Sequence, residues 1–288
     1  MKTLRPLHFS VCIGLIALTQ AAHAAPANLD NTSWTPTGTA GLIAGDRTIA
    51  NSPTGNDQFG YVSTWGEATN VSPLVLKSEG KGAEVATNGA KVVSSAFSAS
   101  AHDSMTLYFN YLTTDGRGYD DYAWARLVNA GSNTTAAWLF TARSTNSANG
   151  NVVPGNVLDR QVDNKLPKNL DATLNDGNTV NFKVQGTEWA PLGGYSGACW
   201  DSANTCGPTG WVKSAYTFAS GGNYFLEFGV TNWGDQAYDS ALAFDFAGLQ
   251  RANVSALTAP VPEPETYALL LAGLGVLGWA TRRKNAVE

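Results

Sequence analysis

A chain of 288 residues with 14% charged side chains and a formal net charge of −5 is too sparsely and too negatively charged to bind nucleic acid or anionic lipid through its own field. Its three histidines leave little of the acid–base and metal chemistry that imidazole carries. Thirty glycines and 10% aromatic residues, with no long apolar stripe at helical spacing, point to β-structure broken by turns.

The chain opens on an export address. Lys2 and Arg5 precede an apolar run from Leu7 to Leu18, and Ala22-His23-Ala24 supplies an A-x-A site. This predicts a secretory signal peptide over residues 1–24, passed by the Sec translocon and cut after Ala24 by signal peptidase. Cys12 lies inside it with no lipobox around it. Setting aside Lys2, Arg5, Arg282, Arg283 and Lys284, with Glu263, Glu265 and Glu288, leaves 13 basic against 20 acidic residues, a body charge of about −7. Such a surface suits calcium or a neutral polysaccharide and disfavours nucleic acid.

Residues 25–251 predict one all-β ectodomain, an antiparallel β-sandwich of jelly-roll type. From Asn28 to Ala101 the signal is weak. Short Gly/Thr/Ser-rich pieces around Trp34, Phe59-Gly60-Tyr61 and Trp65 suggest edge strands and loops. Beyond them alternation is plain. Met105, Leu107 and Phe109 share a face, as do Val180, Phe182 and Val184; Tyr224, Leu226, Phe228 and Val230; and Leu242, Phe244 and Phe246. Turn clusters at Thr114-Asp115-Gly116, Asn129–Asn133, Asn175–Asn178 and Gly221–Asn223 separate these runs. Trp124 and Trp138 fall within strand-like stretches and are expected in the core.

With Cys12 removed, Cys199 and Cys206 remain, seven positions apart in a Gly/Ser/Asn-rich loop. In an oxidising compartment they are expected to form one disulfide; a zinc site would lack two further ligands, and a Cys-x-x-Cys redox pair is absent.

An enzyme would have to work with His102 alone. His102-Asp103 forms a dyad on paper but reads as a loop-to-strand junction, and Gly194-Tyr195-Ser196-Gly197-Ala198 lacks the last glycine of a nucleophile elbow. A paired-carboxylate glycoside hydrolase needs no histidine, and its candidates are Glu188, Glu227, Asp115, Asp120 and Asp121. No catalytic residue is assigned. Asp115-Gly116-Arg117-Gly118-Tyr119-Asp120-Asp121 is instead a candidate calcium loop, with Asp235 as a further ligand; a solvated hairpin is the alternative, since the spacing is not that of an EF-hand. Asp245, between Phe244 and Phe246, needs a partner if both faces of its strand are covered: Arg126, Arg143 or a metal. Loop aromatics Tyr195, Trp200, Trp211 and Trp233 are candidate sugar-stacking groups, with ordinary packing as the alternative.

Residues 252–260 turn small and polar, as a linker does. Then come Val261-Pro262-Glu263-Pro264-Glu265, an uncharged run from Tyr267 to Ala280, and Arg282-Arg283-Lys284. The prolines predict an extended spacer. The 14 apolar residues make a helix of roughly 21 Å, short for a ~30 Å hydrocarbon core, so a transmembrane helix at 267–281 would insert weakly. The basic tail at 282–284 would hold its end on the cytoplasmic side.

The order Pro262-Glu263-Pro264, apolar run, Arg282-Arg283 over residues 261–288 resembles the PEP-CTERM sorting signal of Gram-negative bacteria. The resemblance implies recognition and cutting by an exosortase, with passage from an inner-membrane-anchored precursor to the outer surface or extracellular matrix. The segments Tyr108–Gly116, Asp121–Leu127, Gly210–Val212, Leu226–Asp235 and Asp239–Asp245 are similar to a group of PEP-CTERM-tailed β-sandwich ectodomains. That likeness implies the fold and an envelope role, and it carries no catalytic residues. Proteins with this tail accompany exopolysaccharide and biofilm production, which implies a binding or structural role there. A secreted two-carboxylate glycoside hydrolase is the competing class.

Overall fold

The runs with period-two alternation become strands. The protein is seen in a computed structural model that describes residues 29, 32–66, 71–73, 85–116, 121–143, 172–174, 186–201, 206–247 and 249. The signal segment with Ala22 and Ala24, the Val180–Val184 run and Asp120 lie outside the described residues. So do the linker 252–260, the Pro262-Glu263-Pro264 motif, the helix 267–281 and Arg282 and Arg283. No helix among the described residues is long and apolar enough to cross a membrane.

The strands are β1 (Trp34–Thr37), β2 (Thr39–Ile43), β3 (Phe59–Ser63), β4 (Ala86–Ser94), β5 (Phe97–Ala99), β6 (Ser104–Thr113) and β7 (Tyr122–Asn129). They continue with β8 (Thr134–Arg143), β9 (Ala172–Leu174), β10 (Gly207–Pro208), β11 (Val212–Thr217), β12 (Gly222–Trp233) and β13 (Ser240–Phe246). A 3-10 turn spans Ala190–Tyr195. One antiparallel sheet runs β1-β4-β12-β7-β8 with β5 on β12, and the other β2-β3-β13-β6-β11-β9 with β10 on β6. The chain crosses between sheets from β1 to β2, β3 to β4, β5 to β6, β6 to β7, β8 to β9, β11 to β12 and β12 to β13, as in a sandwich of jelly-roll type.

Side chains of one parity fill the space between the sheets. Phe228, Leu226 and Val230 of β12 meet Phe109 and Leu107 of β6 and Phe244 and Phe246 of β13. Trp34 closes the edge, its ring 5.2 Å from Phe228 and 5.8 Å from Phe244. Pro36 is tolerated because β1 is an edge strand, where a missing ladder donor costs least.

The outer faces are covered too. On the first sheet Tyr122, Trp124, Trp138 and Trp233 form a cluster. Gly229 lies directly opposite Trp124, and a Cβ there would come within 2.1 Å of its ring, so the tryptophan lies over the glycine. On the second sheet the Ala190–Tyr195 turn brings Trp189 and Leu192 onto Phe59, Tyr61, Leu112, Ala241 and Ala243. Hence β6 alternates only as far as Phe109, and its later residues are buried on both faces.

The N-terminal third differs from expectation. Of its strands β1, β2 and the short β5 have a single neighbour; β3 lies between β2 and β13, and β4 between β1 and β12. Small residues suit these places because aromatic rings from distant strands cover them. Asp245 also differs: its partners are neither arginine nor an ion pair but Ser52, Thr54 and Asn56, whose hydroxyls and amide surround its carboxylate.

Candidate functional site

Strand registers bring the expected acidic residues to one end of the sandwich, where β3, β6, β8 and β12 end and β4, β7 and β13 begin. Asp121 precedes β7 with the parity of the core residues Ala123 and Ala125. Its Oδ1 accepts from the Trp233 amide at 2.8 Å and its Oδ2 from the Ser240 hydroxyl at 2.6 Å, so one carboxylate ties the two sheets together. Asp115 follows β6 on the side of Thr113, whose hydroxyl accepts from the Asp115 amide at 3.0 Å. The Asp115 side chain is fully buried, and neither oxygen has a hydrogen-bond partner among the described residues.

Burial drives the electrostatics here. Desolvation, with the nearby charges of Asp121 and Asp235, pushes the Asp115 carboxyl up to about 10. Asp121 is raised by burial against the opposing effect of its Ser240 and Trp233 hydrogen bonds. Asp239 rises to about 6 through burial, opposed by the Thr64 hydroxyl at 2.7 Å from its Oδ1. Asp235 is raised less, and its Oδ1 accepts from the Ala237 amide at 3.0 Å. Asp120 lies outside the described residues, and of the others Asp115 feels the charges of Asp121 and Asp235 from the same end of the sandwich. Among the described residues no three His, Cys, Asp or Glu side chains gather as a metal cluster.

Above this buried tier sits an aromatic one. Tyr195 at the end of the 3-10 turn packs on Tyr238, ring centres 4.8 Å apart, and both are partly exposed. Tyr238 holds φ 58, an uncommon conformation for a bulky side chain. Trp65 lies over Gly193, where φ is 53 and a Cβ would come within 2.2 Å of the indole. Trp200 is 37% exposed, and its amide donates to Thr114 O at 2.9 Å, next to Asp115. The Cys199–Cys206 disulfide is formed and fixes the loop that carries Trp200. Tyr238 is not among the sequence candidates and Trp65 is read there only as part of an edge strand or loop, because a single aromatic in a short loop gives no signal of its own.

The other two aromatic candidates are placed elsewhere. Trp233 is 2% exposed, its ring tilted against that of Tyr122 at 5.9 Å with the Arg143 guanidinium 5.2 Å from its ring centre, because β12 runs on to include it rather than leaving it in a loop. Trp211 is half-buried, edge-on to Phe59 at 5.1 Å, and its indole N–H donates to Ala50 O at 2.8 Å. Among the hydrolase candidates, Glu188 is exposed, whereas Glu227 is enclosed by Arg126 at 2.8 Å, Lys91 at 3.3 Å and the Trp124 indole at 3.1 Å. Glu227 pairs with Arg126, five residues along β7 from Asp121, which is about 17 Å at strand rise and on the opposite face. His102 sits exposed in a turn at φ 71, where β5 leads into β6.

Neither a comparison with curated proteins nor one with solved structures finds a match for the chain. Residues 260–284 match the PEP-CTERM protein-sorting motif, so the β-sandwich is the cargo of an exosortase-processed tail, and the chain is an exported, sorted surface protein.

Proposed function

We propose that the protein leaves the cytoplasm through the Sec translocon, loses residues 1–24 to signal peptidase, and acts outside the cell as a non-catalytic component of the exopolysaccharide matrix of a biofilm. The observation that carries this reading is the partly exposed aromatic set of Trp65, Tyr195, Tyr238 and Trp200, the last on a loop closed by a disulfide. Pyranose rings present C–H faces that pack on such groups, and loops fixed in advance lose little entropy on binding. The enclosure of Glu227 by cations and the burial of Asp115 and Asp121 weigh against a water-activating carboxylate pair.

Affinity electrophoresis through gels containing the exopolysaccharide of the producing cell tests the reading. Wild-type protein should be retarded, and Trp200→Ala and Tyr195→Ala should run closer to the polysaccharide-free position. Unretarded wild-type protein defeats it, and so does release of shortened glycan by the purified protein. Intact mass of the protein recovered from the cell surface checks both processing events: a chain beginning at Ala25 and ending near Pro262-Glu263-Pro264 is expected.

A further inference from the structure

We propose that the end of the sandwich beneath the aromatic tier is a calcium site, held by the carboxylates of Asp115 and Asp121 and the carboxamide of Asn232. Three separate placements converge. Asp121 spans the two sheets through its bonds to Trp233 N and Ser240 Oγ. Asp115 lies fully buried with both oxygens unpartnered among the described residues. Asn232 continues the inward series Leu226, Phe228, Val230 along β12, which faces it into the same interior end. It stands next to Trp233, whose amide holds Asp121. Its side chain is 0% exposed, and neither its oxygen nor its nitrogen has a partner among the described residues.

A buried carboxyl group and a buried amide without partners are each costly, so their convergence on a second carboxyl points to a cation that would displace the proton from Asp115 and engage both. The donors are all hard oxygens, and among the described residues no histidine or free thiol accompanies them. Calcium takes six to eight such oxygens in loose geometry and accepts amide and main-chain carbonyls, whereas magnesium keeps its waters and suits a dry interior poorly. A dication also balances the two carboxylate charges. Asp235 and Asp239 add negative potential from the same end, while their side chains are engaged by Ala237 and Thr64. Two carboxylates with an amide is a thinner acidic set than a three-carboxylate cluster, which places the site with the weaker extracellular calcium modules.

The test uses the mature protein, purified in EGTA, with thermal melting and terbium luminescence as readouts. Addition of about 1 mM calcium, a level suited to extracellular sites, should raise Tm by about 5 °C. Terbium should bind and be sensitised by the neighbouring Tyr122 and Trp233 rings. Asp115→Asn should fold in EGTA at least as stably as wild type, since it removes an unpaired buried acid, and should lose both the calcium shift and the terbium signal. Asn232→Ala, which keeps both carboxylates, should weaken calcium binding by about tenfold. The exposed Asp57→Asn should behave as wild type. The proposal is overturned if wild-type Tm ignores calcium, or if Asp115→Asn retains the full shift. An Asn232→Ala protein with wild-type affinity would remove that ligand from the set.

Discussion

Gly229→Ala offers a sharp test of how the outer face of the first sheet is built. The new Cβ would stand 2.1 Å from Trp124 Cζ2, where ordinary contact begins near 3.4 Å, so the ring must retreat by more than an ångström. It is not free to do so. Its indole N–H donates to Glu227 Oε1 at 3.1 Å, and Tyr122 lies 5.9 Å away in the same cluster. Overpacking costs about 1–3 kcal/mol, and loosening a hydrogen bond to a charged acceptor about 1.5–3 kcal/mol. Replacing a strand glycine by alanine returns about 0.5–1 kcal/mol. The net is a loss of about 3 kcal/mol, or roughly 6–12 °C in Tm for a domain of this size. Urea denaturation and calorimetry of Gly229→Ala, Trp124→Leu and the double variant read it directly. The double variant should be less destabilised than the sum of the single ones, because a leucine leaves room for the methyl. A Gly229→Ala protein within about 0.5 kcal/mol of wild type, or strict additivity, would refute the reasoning.

Three other outcomes follow from the same geometry. Cys199→Ser should lower stability by about 2.5 kcal/mol under oxidising conditions and change nothing under reducing ones; equal melting of variant and wild type in oxidising buffer would count against it. Without calcium, stability should fall as pH rises from about 4 to 8. Asp239, at about 6, and Asp115, at about 10, both hold protons in the folded state that the unfolded chain releases near pH 4. Their stabilising protonation is therefore complete below pH 4 and lost as pH climbs; thermal melts in EGTA that improve toward pH 8 would contradict this. Trp34→Ala should cost about 3–5 kcal/mol, whereas Trp34→Phe should cost much less. The ring fills the gap between Phe228 and Phe244, and its indole N–H has no partner among the described residues to lose; equal losses in the two variants, measured in urea, would show that the N–H matters.

The strands of the second half were legible because one face at least kept its period. Leu226, Phe228 and Val230 lie in the core as their spacing indicates, and the Asn129–Asn133 cluster forms the β7–β8 turn, with Asn129 Oδ1 accepting from the Gly131 and Ser132 amides. What the sequence hid depends on contacts made across long separations. Phe59–Ser63 reads as a short Gly-containing piece, yet it is a buried inner strand because Phe244 lies over Gly60 and Trp189 over Phe59 and Tyr61. Asp245 reads as a carboxylate wanting an arginine or a metal, since nothing local announces that Ser52, Thr54 and Asn56 fold back on it. The acidic end was half visible. Asp115 and Asp121 stand out as carboxylates after a strand, whereas Asn232, uncharged, stands out only as the first residue of the Asn-Trp-Gly-Asp stretch. The signal available was its parity, a polar residue continuing the inward file of Leu226, Phe228 and Val230.

The last strand of the sandwich is also the one that leads toward the sorting motif. β13 is bonded on both sides, to β3 and to β6, and Asp245 near its end is clasped by the 52–56 loop. A pull transmitted along residues 250–260 would therefore load two ladders in shear rather than unzip a sheet margin one bond at a time. The domain is joined to its sorting tail through a strand held on both sides, so it should withstand traction during transfer to the surface that would peel away a peripheral one.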